Sequence, residues 1–174
     1  MTSSTGFSLW LQPTGQAHNR LANIIKELSK QYHTPVFEPH VTLLGGLIGN
    51  QETLAARTVQ LAKSAQPNIV ILTTVDYLDE YFRCLFAVVE KTDWLTNLNA
   101  KARKLFHCED APEFMPHLSL MYGNFSPTTK QRIIVELGST LDTRFQVASV
   151  QLWSTNGAPQ EWYQVQEFSL EQFH

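Results

Sequence analysis

Two short segments of this chain carry the same pattern, in which a histidine is followed two residues later by a hydroxyl side chain. The segment 39–43 (PHVTL) returns almost unchanged as 116–120 (PHLSL), nearly half of the 174-residue chain further on. Phe37 and Phe114, each three residues before the histidine, extend the repeat. A repeat of this length predicts two similar lobes, each contributing one histidine and one hydroxyl.

The repeated pair of side chains suits acid–base chemistry on a phosphate. Histidine gives or takes protons near neutral pH, because its unperturbed pKa is about 6.5. Of two histidines that flank one phosphorus, one can take the proton of an attacking water and the other can protonate the departing oxygen. Hydroxyl groups can donate to the non-bridging oxygens, where negative charge grows. We therefore predict that His40 and His117 are catalytic and that Thr42 and Ser119 bind the substrate phosphate.

Zinc binding is the main alternative explanation for paired histidines. A zinc site needs three or four closely spaced His, Cys, Asp or Glu ligands. Neither motif has a carboxylate or a thiol nearby on the same strand face, so we expect no metal and no other cofactor. The remaining histidines lie near predicted helix ends or at the chain terminus and are expected to be surface or capping residues: His18, His33, His107 and His174.

Each motif has the alternation of a β-strand. Side chains at i and i+2 of a strand point to the same face, so each histidine shares a face with its hydroxyl. The intervening aliphatic residues point the other way, into the core of a lobe. Because unpaired polar groups cost about 1–3 kcal/mol each to bury, the polar pairs must face a cleft. The first motif strand is predicted to end at Gly45-Gly46 and the second to run to Tyr122.

The order of predicted elements repeats around the two motifs. Helical spacing of apolar residues precedes and follows each motif. Asn50 and the pair Ser126-Pro127 are expected to begin the two following helices. The series is β-α-β-α-β and then the same again with one extra strand, which is an α+β arrangement. The strands outside the motifs are predicted at residues 6–12, 68–77, 81–89, 143–154 and 162–170.

Composition and charge limit the classes of protein. Hydrophobic residues make up 43% of the chain and charged residues 17%, which is enough apolar surface to fold without disulfides or metal. A net charge of −3 lacks the basic face that long nucleic acids require, although a small anion remains compatible with it. Residues 1–14 have neither a basic start nor a long apolar stretch, and no run of 18 apolar residues occurs. We therefore expect neither a signal peptide nor a membrane span.

The remaining expectations concern the surface, the thiols and the setting of the protein. The basic run 101–104 (KARK), Asp142 and Arg144 are predicted to be solvated. Cys84 and Cys108 have no Cys-x-x-Cys spacing and are expected to be free, buried thiols in a reducing compartment. We predict a monomeric, cytoplasmic protein that binds a small nucleotide and contacts neither long nucleic acid nor membrane.

With these motifs the chain resembles the two-histidine (2H) phosphoesterase superfamily, and most of all its eukaryotic-type cyclic phosphodiesterases. The matching segments are 7–10 (FSLW), 37–42 (FEPHVT), 82–84 (FRC) and 114–122 (FMPHLSLMY). The resemblance implies a single bilobal α+β domain over residues 1–174. It further implies a duplicated, LigT-like fold with two antiparallel sheets and outer helices around a central cleft.

The resemblance also implies an activity and three further site residues. The expected reactions are the metal-independent opening of ADP-ribose 1″,2″-cyclic phosphate to the 1″-phosphate and of nucleoside 2′,3′-cyclic phosphates to 2′-phosphates. Tyr122, Trp10 and Phe82 are assigned to positioning water or substrate. Tyr122 is five residues after His117, so an unbroken strand would place it on the opposite face. Its role therefore requires the strand to end near Met121.

Two other functions remain open at this point. An RNA-end-processing enzyme of the 2′–5′ RNA ligase kind shares the same motifs, and basic residues along the cleft would distinguish it. A non-catalytic nucleotide- or RNA-binding module would have lost a histidine or a hydroxyl, and all four are present. Because Tyr122 follows the second motif, His117 is expected to be the general base on water and His40 the general acid.

Overall fold

The computed structural model of the protein describes residues 2–172. Met1, Phe173 and His174 of the predicted domain lie outside the described residues. The described chain forms eight strands: β1 (Phe7–Leu11), β2 (Val41–Leu47), β3 (Asn68–Asp76), β4 (Leu85–Val89), β5 (His117–Met121), β6 (Thr140–Val147), β7 (Ser149–Ser154) and β8 (Tyr163–Ser169). It also forms four α-helices: α1 (Gly15–Tyr32), α2 (Gln51–Lys63), α3 (Asp93–Phe106) and α4 (Pro127–Leu137).

The eight strands form one sheet in the order β6-β3-β4-β5-β2-β1-β7-β8, and every pair of neighbours is antiparallel. The two motif strands, β2 and β5, lie at its centre and are paired only at Val41 and Leu118. The sheet therefore consists of two four-stranded halves that meet at a single residue pair. The α+β antiparallel fold is confirmed, and the two predicted sheets are the two halves of one sheet.

The predicted strand 143–154 was wrong in its extent, because the structure has two strands there. β6 pairs with β3 in one half of the sheet, whereas β7 pairs with β1 in the other half. The chain therefore crosses from one half to the other next to Ala148. Buried and exposed side chains alternate up to Val147, while most of β7 is buried on both faces. Neither pattern contains a glycine or proline that would have indicated the break.

The prediction that Gly45-Gly46 ends the first motif strand was also wrong. β2 continues to Leu47, and the two glycines form a β-bulge in it. Phe7 pairs with Leu47 and Leu9 pairs with Leu44, so three steps along β2 match two along β1. Gly46 has a φ of 68°, a conformation that glycine adopts without steric cost.

Other local predictions are confirmed. The Asn50 side chain accepts hydrogen bonds from the backbone at the start of α2, and Ser126 does the same for α4. His33 and His107 end α1 and α3 in the left-handed conformation, as expected for capping residues. Both cysteines are free, although only Cys84 is buried and Cys108 is partly exposed, which corrects one prediction.

The aliphatic residues of the motifs pack into the core on the side of the sheet opposite the polar pairs. Val41, Leu118 and Leu120 are completely buried, and Leu43 nearly so. This packing fixes the direction in which the histidines and hydroxyls point. Within residues 2–172, no helix is both long and apolar enough to cross a membrane.

Candidate active site

A cleft of about 370 Å³ opens where the two halves of the sheet meet. Residues of both motifs line it, together with side chains from β1, the turn before β4, and α3. All seven residues that the sequence analysis selected are among the lining residues: Trp10, His40, Thr42, Phe82, His117, Ser119 and Tyr122. The structure thus brings both histidine–hydroxyl pairs into one cavity.

The two histidines are held in the same way. Nδ1 of His40 lies 2.7 Å from the carbonyl oxygen of Glu38, and Nδ1 of His117 lies 2.8 Å from that of Met115. A carbonyl oxygen only accepts hydrogen bonds, so Nδ1 carries the hydrogen in both rings. In the neutral ring, Nε2 is then left as an acceptor for a group in the cleft.

Each histidine also contacts an aromatic ring from the neighbouring strand. Trp10 stacks on His40 with ring centroids 3.5 Å apart and planes 4° from parallel. Phe86 meets His117 edge-on at 5.2 Å. In the sheet register Trp10 is paired with Thr42 and Phe86 with Ser119, so the aromatic partner is part of the repeat. Phe86 was not selected from the sequence, because its relation to His117 depends on which strands pair.

Burial lowers the pKa of both histidines. His40 is 6% exposed, and its desolvation lowers its pKa to about 3, against the opposing effect of the Glu38 carbonyl. Desolvation also lowers the pKa of His117, while the Met115 carbonyl opposes it and the nearby Arg83 guanidinium adds to it. Both imidazoles are therefore neutral near pH 7 while the cleft holds no anion.

The two hydroxyls differ in their hydrogen bonds. The Thr42 hydroxyl has no hydrogen-bond partner within the described part of the chain, so its proton is available to a ligand. The Ser119 hydroxyl donates to the carbonyl oxygen of Phe82 at 3.1 Å. To donate to a phosphate, Ser119 must exchange this bond for a new one.

Tyr122 reaches the cleft because β5 ends one residue before it, at Met121. The objection from strand alternation therefore does not apply. Burial raises the pKa of its phenol, which stays neutral, while the neighbouring Ser119 hydroxyl acts on that pKa in the opposite direction.

A buried lysine holds the connection that carries Phe82 and Arg83 into the cleft. Lys130 in α4 is 1% exposed, and its Nζ donates to the carbonyl oxygen of Leu78 at 2.8 Å. The same nitrogen lies 3.4 Å from a carboxylate oxygen of Asp79. Because a buried ammonium group must keep its partners, this contact fixes the connection between β3 and β4.

The predicted solvated run 101–104 is only partly solvated, because Ala102 is buried in the core and Arg103 is turned towards a loop. Arg103 is half-buried, and its guanidinium donates to Asn99 Oδ1 at 2.9 Å, to the Ala111 carbonyl at 2.8 Å and to the Pro112 carbonyl. Asn99 in turn donates to the Leu43 carbonyl at 2.7 Å. This network links the first motif strand to the loop that leads into the second, and sequence spacing carried no sign of it.

Within residues 2–172, no three His, Cys, Asp or Glu side chains are grouped closely enough to hold a metal ion. The third ligand that zinc needs is thus not supplied around either motif histidine. The independence of the reaction from metal stays a prediction.

Comparison with known proteins identifies the family. The model of the family described as "Cyclic phosphodiesterase-like protein" matches residues 5–162. The chain belongs to this family. It is 25% identical over 150 residues to a cyclic phosphodiesterase of Arabidopsis thaliana, covering 84% of this chain and 80% of that one. It is 28% identical over 180 residues to a 2′,3′-cyclic-nucleotide 3′-phosphodiesterase of Kluyveromyces lactis, covering 92% and 84%.

Solved structures support the fold. The protein TT0787 of Thermus thermophilus superposes with a TM-score of 0.68 at 16% identity, covering 97% of this chain and 99% of that one. LigT of E. coli superposes with a TM-score of 0.68 at 10% identity, covering 97% and 98%. The expected 2H phosphoesterase superfamily, its LigT-like fold and the enzyme class, a phosphodiesterase, are confirmed.

The buried neutral His40 predicts a loss of stability in acid. The unfolded chain takes up a proton near pH 6.5, whereas folded His40 does so only near pH 3. The contribution to the free energy of unfolding is complete above pH 6.5 and falls as pH decreases, by about 1.4 kcal/mol per unit. In urea titrations, His40→Asn should reduce the stability difference between pH 7 and pH 5 by about 2 kcal/mol. The exposed His107→Asn serves as control, and an equal reduction in both variants would contradict the prediction.

The Arg103 network predicts a role in ordering the loop before the second motif. Arg103→Met removes the donors to Ala111 and Pro112 and should lower the free energy of unfolding by about 1–3 kcal/mol. Amide hydrogen exchange within residues 108–115 should become faster, because the loop loses its attachment to α3. Lys104→Met on the same helix, at an exposed position, is the control. Unchanged exchange in the Arg103 variant would show that the network does not hold the loop.

Proposed function

We propose that this protein hydrolyses small nucleotide cyclic phosphates without a metal ion, with ADP-ribose 1″,2″-cyclic phosphate and nucleoside 2′,3′-cyclic phosphates as substrates. The observation that carries the proposal is the matched pair of histidines in one cleft, each fixed through Nδ1 to a backbone carbonyl. The names of the Arabidopsis and Kluyveromyces relatives support this substrate class. E. coli LigT, which shares the fold, has been solved with 3′-AMP and with phosphate.

In the proposed reaction His117 acts as general base and His40 as general acid. Nε2 of His117 takes a proton from water while the water oxygen forms a bond to phosphorus. The bond from phosphorus to one ring oxygen breaks, and this oxygen receives the proton that Nε2 of His40 carries. The product is a phosphate monoester, and the two histidines end with exchanged protonation states.

The hydroxyls and the tyrosine complete this scheme. Thr42 donates to one non-bridging oxygen, where negative charge increases in the transition state. Ser119 donates to another after leaving the Phe82 carbonyl. The neutral phenol of Tyr122 can accept a hydrogen bond from the attacking water.

The assignment of His40 as the acid is supported by its contact with Trp10 and opposed by its burial. Burial alone favours the reverse division, since it makes His40 hard to protonate. The face-to-face contact of His40 with Trp10 stabilises an imidazolium through cation–π attraction. The anionic phosphate raises the pKa of a neighbouring imidazole. We therefore propose that His40 gains its proton only when the substrate is bound.

The cleft favours a small nucleotide over an RNA end. Arg83 and Arg103 both line the cleft, but Arg83 forms an ion pair with Glu80 at 2.6 Å and Arg103 donates to backbone carbonyls of the loop before β5. Neither guanidinium extends a continuous basic track along the cleft. The non-catalytic alternative finds no support, because both histidines and both hydroxyls are present and line the same cavity.

The two-histidine mechanism predicts large and equal losses from either histidine. His40→Ala and His117→Ala should each reduce kcat/KM on adenosine 2′,3′-cyclic phosphate by about 10²–10⁴-fold, because one proton transfer is lost. The assay is run with EDTA present, and His107→Asn should keep full activity. Near-full activity of either alanine variant would refute the paired mechanism. Loss of activity in EDTA that added zinc restores would refute metal independence.

The same mechanism has a pH dependence that separates free enzyme from complex. Since the pKa values of both histidines are lowered in the free protein, kcat/KM should reach its maximum below pH 6.5 and fall above it. The alkaline limb of kcat should lie at higher pH, because the bound anion raises the pKa of the acid.

A substrate with an activated leaving group separates the roles of the two histidines. Such a leaving group needs little help from an acid, so it should rescue the activity of His40→Ala and not that of His117→Ala. Rescue of His117→Ala would exchange the two roles.

The hydroxyls should contribute unequally to catalysis. Thr42→Val removes a donor that has no other partner and should lower kcat by about 10²-fold. Ser119→Ala should cost less, because this serine exchanges one hydrogen bond for another. The exposed Thr96→Val in α3 is the control for the Thr-to-Val change. A larger loss for Ser119→Ala than for Thr42→Val would contradict this order.

A further inference from the structure

Two buried hydroxyls that border the cleft take no part in the mechanism above. Ser8 in β1 is 7% exposed and Thr155, just after β7, is 4% exposed, and both line the cleft. Ser8 is two residues before Trp10, so both side chains point to the cleft face of β1. Buried hydroxyls that border a cavity and belong to no catalytic group are candidates for contact with substrate.

The hydroxyls of Ser8 and Thr155 form a short chain of hydrogen bonds that ends at a backbone carbonyl. The Thr155 hydroxyl donates to the carbonyl oxygen of Gly6 at 3.2 Å. The Ser8 and Thr155 hydroxyl oxygens are 3.3 Å apart. Because Thr155 has already used its only proton, Ser8 is the donor between them. While this bond is kept, the Ser8 oxygen presents lone pairs to the cleft and can accept a hydrogen bond from a donor there.

The glycine bulge in β2 keeps Ser8 accessible. A Cβ at Gly45 would stand 3.5 Å from Ser8 Oγ and 3.4 Å from Cγ2 of Thr42. Any side chain at this position would occupy the space between the two. The absence of a side chain at Gly45 thus joins the Ser8 oxygen to the part of the cleft that Thr42 borders.

We propose that Ser8, ordered by Thr155 and uncovered by Gly45, accepts a hydrogen bond from a free hydroxyl on the sugar ring that carries the cyclic phosphate. The Thr42 hydroxyl can donate to a phosphate oxygen, and the Ser8 oxygen beside it can accept from a sugar hydroxyl. The two groups together match a sugar that carries a phosphate ester next to a free hydroxyl. The inference rests on the proposed function. It favours furanose 1,2-cyclic phosphates, whose 3-hydroxyl is free, over 2′,3′-cyclic phosphates, in which both vicinal oxygens are esterified.

The test compares ribose 1,2-cyclic phosphate with its 3-deoxy analogue. A neutral hydrogen bond contributes about 0.5–1.5 kcal/mol, so the wild type should prefer the hydroxyl-bearing compound about 3- to 10-fold in kcat/KM. Ser8→Ala should lose this preference and leave the rate on the deoxy compound unchanged. Gly45→Ala should have the same effect, because its methyl group covers the Ser8 oxygen. Ser149→Ala, whose hydroxyl in β7 bonds to Glu167, is the matched control and should keep the preference.

The outcomes distinguish the subsite from the proposed function. Equal rates of the wild type on both compounds, or an equal loss of both rates in Ser8→Ala, would overturn the subsite while the function stands. Hydrolysis of adenosine 2′,3′-cyclic phosphate but of neither 1,2-compound would do the same. Failure of the wild type on all three cyclic phosphates would overturn the proposed function and the subsite together. Thermal unfolding of each variant checks that a lost rate is not a lost fold.

Discussion

The cleft depends on the very short backbone pairing between the two halves of the sheet. β2 and β5 are paired at one position, Val41 with Leu118, and beyond it the strands diverge. The cleft exists because the ladder stops there. The same point of contact brings His40 and His117 close to each other, since each histidine comes one residue before a member of the pair. The backbone carbonyls of Glu38 and Met115, which lie just before the two strands, orient the imidazole rings.

The repeat is symmetric in position and asymmetric in environment. His40 is more buried than His117, and it stacks face-to-face on Trp10 where His117 meets only the edge of Phe86. Thr42 keeps its proton for a ligand, whereas Ser119 gives it to a carbonyl. Two histidines in identical environments would have the same proton affinity, and neither would be favoured as acid or as base. In the proposed mechanism, these differences let one histidine give a proton while the other takes one.

The sequence predicted those features that depend on local geometry. Strand alternation was enough to put His40 with Thr42 and His117 with Ser119 on the cleft face, and the caps at Asn50 and Ser126 follow from side-chain chemistry within one turn. The features it missed depend on pairing across the chain. The separation of β6 from β7, the β-bulge at Gly45-Gly46 and the contacts of Arg103 are fixed by partners far away in sequence, and none leaves a periodic signal.

The link through α3 has a mechanical consequence. Asn99 is attached to the Leu43 carbonyl on one wall of the cleft, and Arg103 is attached to the loop that forms the other wall. Because the same helix is hydrogen-bonded to both walls, it sets the distance between them. A ligand must fit an opening of fixed width rather than induce closure around itself. For the proposed substrates, selection would then depend on the size and the hydrogen-bonding groups of the sugar.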